Sequence, residues 1–75
     1  LKEVGKMESL KIKEIRKERR LSISQLSHES GVARGYLSEM ESGKYINPSL
    51  FITCKLCKAL KVEPNDLINK ELWKW

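Results

Sequence analysis

Signals that end one helix and begin another recur about every dozen residues along this chain, which limits it to short helices joined by tight turns. Ser22 suits a helix N-cap, where its oxygen accepts a hydrogen bond from an orphan backbone amide. Gly31 can adopt the left-handed backbone that a sharp exit from a helix requires, and Gly43 ends the next interval. Asn47-Pro48 and Glu63-Pro64 are two further starts, with asparagine at the cap and proline in the first turn.

Apolar residues at helical spacing fill the intervals. A first helix from Ser9 to about Arg19 carries Leu10, Ile12 and Ile15; a second, after Ser22, carries Ile23 and Leu26. Val32 is an apolar plug behind Gly31, and a third helix from about Arg34 to Ser42 buries Leu37 and Met40. A fourth, opened by Asn47-Pro48, carries Leu50, Ile52, Leu56, Ala59 and Leu60 to about Lys61. A fifth carries Leu67, Ile68 and Leu72 into the tail Trp73-Lys74-Trp75. The spacing predicts an all-α, five-helix domain over residues 9–70. A loose arm over 1–8 precedes it and an aromatic tail over 71–75 follows.

With 75 residues, a chain buries only about 60% of its unfolded surface, so a small core and a catalytic pocket compete for the same side chains. No nucleophile–base pair, paired carboxylates or phosphate-cradling glycine loop stands out, so no enzyme is expected. No cofactor is expected either. The net charge of +5 favours a polyanionic partner. The excess is unevenly placed: residues 2–20 hold eight basic and four acidic side chains, whereas 31–48 hold only Arg34 and Lys44 against Glu39 and Glu41. The basic run in the first helix reads as a solvated face that steers at long range. No apolar run approaches the roughly 20 residues of a membrane span, so no membrane role is expected. Two cysteines fit a reducing, cytoplasmic compartment. Cys54-x-x-Cys57 is half a metal site at most, because structural zinc wants four ligands and His28 is the sole histidine. Cys57 reads as a small core residue, Cys54 as a surface thiol and His28 as solvent-facing; no metal is expected.

The stretch Leu21–Lys44 carries the function. A short helix, a glycine turn and a second short helix can cross steeply, so that the second projects outward into the DNA major groove, roughly 12 Å wide. The outward positions of the third helix are Arg34, Gly35, Ser38 and Glu39, with Ala33 and Tyr36 flanking.

This stretch and its surroundings resemble the Cro/C1-type (XRE) helix-turn-helix family, most closely its SinR-like repressors. The resemblance rests on Ile12-x-x-Ile15-Arg16, Leu21-Ser22, Leu26, Ser30-Gly31-Val32, Tyr36-Leu37-Ser38, Glu41-Ser42-Gly43, Asn47-Pro48-Ser49 and Ala59-Leu60-x-Val62. It implies a five-helix, lambda-repressor-like DNA-binding domain, a double-stranded operator and a homodimer. Base reading falls on Arg34, Gly35, Tyr36, Ser38 and Glu39. Arg34 can grip guanine O6 and N7, Gly35 permits close approach, and Tyr36 offers a hydroxyl and a ring edge. Glu39 can accept from cytosine N4 or hold Arg34 in place. Phosphate contacts fall on Ser22, Ser24, Ala33, Lys44, Tyr45 and Asn47, with free amides at helix starts assisting. Arg16 and Glu41 match a structural ion pair between the first and third helices. Two positions depart from the family pattern: Ile23 replaces a glutamine that commonly contacts phosphate, and Arg20 replaces the glycine that commonly closes the first helix.

Leu72, Trp73 and Trp75 either cap the domain's own core or bury against a second copy, which two adjacent half-sites require. With no second domain to sense a small molecule, the resemblance leaves room for a regulatory protein partner. The rival to a DNA-binding regulator is an antitoxin-like or adaptor module that uses the same fold for protein–protein contact through the aromatic tail and an exposed Phe51.

Overall fold

The computed structural model describes residues 10–43 and 47–74 of the chain. The expected arm, Lys44, Tyr45 and Trp75 lie outside them. Five α-helices follow in order: α1 (Ile12–Glu18), α2 (Ile23–Ser30), α3 (Arg34–Glu41), α4 (Leu50–Leu60) and α5 (Pro64–Leu67), then one 3-10 turn (Lys70–Leu72). α2 packs on both α3 and α4, α4 packs on α5, and α1 packs on α3. Leu26, Leu37, Leu56 and Leu67 are fully buried at the centre, ringed by Ile12, Ile15, Val32, Met40, Cys57 and Leu60. Burying each of the leucines contributes about 1.5–3 kcal/mol.

α1 begins at Ile12, later than the sequence suggested. Leu10 is buried, but as extended chain: it forms an isolated antiparallel bridge with Ile68, and the Lys11 amide donates to the Leu67 carbonyl at 2.8 Å. That pairing ties the start of the domain to its end and removes two residues from helical conformation. α1 closes through Arg20, whose φ is +58°. The Leu21 amide donates to the Arg16 carbonyl and the Arg20 amide to the Lys17 carbonyl, both at 3.0 Å. These bonds satisfy two orphan carbonyls, the usual service of a left-handed glycine, with an arginine in the strained position.

α2 starts at Ser22, whose Oγ accepts from the Gln25 amide at 3.0 Å while Gln25 Oε1 accepts from the Ser22 amide at 2.7 Å. This reciprocal cap satisfies two donors at once. Gly31 ends the helix with φ +75° and donates to the Ser27 carbonyl at 2.9 Å.

α4 begins two residues after the expected cap. Ser49 is its N-cap, its Oγ accepting from the Ile52 amide at 3.1 Å, while Asn47 and Pro48 lie in the approach. The start is set where a side-chain oxygen meets an orphan amide, and here that oxygen is the Ser49 hydroxyl. The inward stripe is Thr53, Leu56, Cys57 and Leu60, with Ile52 and Ala59 half-buried beside it. Leu50, expected on that stripe, is 79% exposed. Side chains lean toward a helix's N-terminus, so a first-turn residue overhangs the core.

α5 is a single turn capped reciprocally by Glu63 and Asp66. It stops at Leu67 because Ile68 turns extended to pair with Leu10, so Leu72 belongs to the 3-10 turn and not to α5 as expected. Leu72 and Trp73 are 39% and 41% exposed and stand outside the core cluster.

Candidate nucleic-acid interface

The turn between α2 and α3 is held by side chains as well as by Gly31. Ser27 Oγ donates to the Val32 carbonyl at 2.7 Å, and Ser30 Oγ accepts from the Val32 amide at 3.1 Å. Val32, 2% exposed, inserts its side chain into the core while both of its backbone polar groups are served by serines of α2. The direction of α3 relative to α2 is therefore fixed by a buried plug and two hydroxyl staples. Sequence reasoning found the plug and missed the staples. The signal was present, since a serine within a few residues of a helix end competes for backbone partners.

From the far side, α3 is clamped to α1. Arg16 Nε donates to Glu41 Oε2 at 2.8 Å and Nη2 donates to Oε1 at 3.0 Å, while Nη1 donates to the Leu21 carbonyl at 2.8 Å. Both side chains are nearly enclosed, 11% and 6% exposed. Donating to the Glu41 carboxylate raises the affinity of Arg16 for its proton above the usual arginine range, against the opposing effect of burial. The two charges face each other between α1 and α3.

What these restraints present outward is an open groove of about 450 Å³ lined by Ser22, Ile23, Ser24, Arg34, Gly35 and Ser38. Four of the six are polar or charged side chains, from the start of α2 and the first two turns of α3. Arg34, Gly35 and Ser38 are exposed along α3. A Cβ built on Gly35 would meet nothing within 4 Å. Arg34 Nη1 reaches across the turn to donate to Ser24 Oγ at 2.9 Å. Among the described residues no ion pair joins Arg34 to Glu39, the partner considered from sequence.

The remaining candidates sit around this groove. Ala33 is the exposed N-cap of α3 and offers no side-chain cap, so the first amides of α3 are open to an outside acceptor. Tyr36 is half-buried against the core, which places it at the flank of the exposed edge. Glu39 is half-buried, and its backbone carbonyl accepts from Ser42 Oγ at 2.8 Å. Asn47 is exposed; Lys44 and Tyr45 lie outside the described residues. Ile23 packs its side chain against the core from the groove wall. Elsewhere, Cys57 is buried and Cys54 exposed on α4, and His28 is exposed on α2. Phe51, 69% exposed, carries the Lys55 ammonium 4.6 Å from its ring centroid. No helix among the described residues is long and apolar enough to cross a membrane.

Fold and groove together define a compact α-helical domain built to present one helix of a helix–turn–helix pair. The chain belongs to the helix-turn-helix family, whose model matches residues 12–67. It is 43% identical over 56 residues to the HTH-type transcriptional regulator SlrR of Bacillus subtilis (strain 168), a match covering 75% of this chain and 37% of SlrR. Among solved structures it is similar to SinR, the master regulator for biofilm formation, in complex with DNA: TM-score 0.71, 35% identity, over 84% of this chain and 94% of that one. It is also similar to the SinR/SinI complex, with TM-score 0.78 and 35% identity over 87% of this chain and 63% of that one. These relatives make it a Cro/C1-type domain close to the SinR-like regulators. The chain spans little more than a third of SlrR, and 55% of the SinR of Bacillus licheniformis.

Proposed function

We propose that this chain is the DNA-binding domain of a transcriptional regulator that reads duplex DNA with α3 in the major groove. The observation that carries the reading is Gly35. It lies on an exposed helix where no neighbouring atom of the chain needs the missing side chain, although glycine there costs about 1 kcal/mol relative to alanine. Close approach of a partner to that backbone accounts for it. Beside it, Arg34, Ser38 and Glu39 meet base edges, with Tyr36 at the flank. Ser22, the open amides at Ala33 and the segment Lys44, Tyr45 and Asn47 meet phosphates. The likeness to SinR in complex with DNA supports duplex DNA as the partner.

The domain works as a homodimer on a partly palindromic operator, as a repressor that excludes polymerase from the site it covers, in the cytoplasm at the nucleoid. Residues 9–70 form the DNA-binding unit. The apolar groove of about 460 Å³ formed by Pro64, Asn65, Ile68, Leu72 and Trp73 is the surface offered to the second copy. The complex of SinR with SinI supports control by a protein partner. Selection from a random duplex pool, followed by binding measurements over a range of salt, tests the reading. A defined, two-fold related consensus with affinity that falls linearly in log salt is expected. Recovery of no consensus overturns it.

A further inference from the structure

We propose that Ser24 is a positioning residue for Arg34, setting the guanidinium so that its free N–H edge meets the O6 and N7 acceptors of guanine; this rests on the function proposed above. The two side chains come from different helices, ten positions apart, and meet over the groove through the 2.9 Å bond from Arg34 Nη1 to Ser24 Oγ. The fold itself does not call on the Ser24 hydroxyl. Ser22 and Gln25 already cap α2 reciprocally, and Ser24 is exposed and absent from the core and its packed rim. Ile23 beside it is turned against the core and offers no polar atom. Ser24 is thus the side chain at this end of α2 that holds Arg34.

The geometry gives that bond a purpose. An exposed arginine samples many rotamers, and each one frozen on binding weakens the complex. A hydroxyl that accepts from one Nη leaves the remaining N–H groups of the planar fork unspent, enough for a bidentate acceptor pair. Guanine O6/N7 and a phosphate both present such a pair. Guanine is favoured because Arg34 is held beside Gly35, where a bare backbone lets the groove floor come close, and the open amides of α3 are there for phosphate.

The test compares Ser24→Ala, Ser24→Thr and Arg34→Ala, singly and with Ser24→Ala combined with Arg34→Ala, on the selected operator, on random duplex, and on the operator with 7-deazaguanine at each guanine in turn. Ser24→Ala is expected to lower the operator-to-random affinity ratio about fivefold, the scale of one net hydrogen bond. Ser24→Thr is expected to restore the ratio. Ser24→Ala is expected to add nothing once Arg34 is alanine, and one 7-deazaguanine is expected to abolish the difference between wild type and Ser24→Ala. Thermal melting separates this role from a folding role, since it stays within about 4 °C of wild type for an exposed hydroxyl that caps nothing. Equal weakening on operator and random duplex makes Ser24 a phosphate contact and overturns the proposal, as does an unchanged ratio. A wild-type chain that prefers no sequence overturns the regulator reading itself, and this role with it.

Discussion

Arg16 and Glu41, 25 positions apart, join α1 to α3 through two parallel charge-assisted hydrogen bonds of 2.8 and 3.0 Å in a nearly enclosed site. The third bond of Arg16, to the Leu21 carbonyl, adds the turn before α2 to the same clamp. Removing one partner leaves the other charge enclosed and unpaired, so Glu41→Ala is expected to destabilise the domain by about 3 kcal/mol. In a domain of this size that lowers Tm by about 12–24 °C. Replacing both residues, Arg16→Met with Glu41→Leu, is expected to lose much less, because no charge is stranded. Thermal melting of the three variants distinguishes the cases; a double variant as unstable as Glu41→Ala contradicts the argument. The guanidinium, held above its ordinary proton affinity in the folded state, stays charged through the neutral range. Its contribution is complete below the unfolded-state value and is lost only as pH climbs through the still higher folded one.

Arg20 and Lys61 both hold φ at +58°, each closing a helix where glycine would be relaxed. An L-residue in that conformation costs roughly 1–2 kcal/mol, and glycine gives part of the difference back through the entropy of the unfolded chain. Arg20→Gly and Lys61→Gly are each expected to raise stability by about 0.5–1 kcal/mol, read as a higher denaturant midpoint at unchanged slope. Arg19 Nη2 approaches the Lys61 carbonyl at 3.5 Å, which brings the two turns together. The paired substitution tests whether their effects add; a fall in midpoint for either single change shows the basic side chain to be worth more than the backbone relief.

The elements that sequence reasoning located well are those whose cause is local. Ser22, Gly31 and Gly43 are punctuation that acts within one turn, and Leu26, Val32, Leu37 and Met40 follow helical spacing into the core. The errors all come from partners distant in sequence or from competition between neighbours. Leu10 looked like the first apolar residue of a helix, but pairing with Ile68 held both out of helical form. Asn47-Pro48 was read as the cap of α4, but the Ser49 hydroxyl two residues on takes that place, a choice between neighbouring side chains that spacing alone does not settle. In the site, the turn put Arg34, Gly35 and Ser38 on one groove with Ser22 and Ser24. The hydroxyl that engages Arg34 was not legible: Glu39 on the same helix was the partner considered and Ser24 was read as a phosphate contact, since spacing does not give side-chain directions across a turn.

Cys54 and Cys57 share α4 but not an environment: the first is exposed and the second lies in the core. Burial pushes the Cys57 thiol above its ordinary range, assisted by the nearby Cys54 and Asp66. A buried thiol is unreactive on two counts, access and thiolate fraction. One equivalent of an alkylating reagent is expected to add to the native domain at pH 8, at Cys54 by peptide mapping, with Cys57 reacting only in denaturant. For a group whose folded value is raised, stability is complete below the unfolded value and declines as pH rises through the folded one. Rapid native labelling of both thiols contradicts this placement.

Gly35 separates what the fold needs from what the partner needs. Its place in α3 has helical backbone and open space where a Cβ would stand, so Gly35→Ala is expected to stabilise the free domain by about 0.5–1 kcal/mol. In a domain of this size the matching rise in Tm is about 2–8 °C. If the bare backbone exists to let DNA approach, the same methyl group stands between α3 and the duplex, and operator affinity is expected to fall about tenfold or more. Opposite signs for stability and binding are the signature of a residue kept for contact. Melting and operator titration of the one variant decide the matter: a chain that is both more stable and an undiminished binder shows that nothing closes on Gly35, and the observation carrying the proposed function is lost.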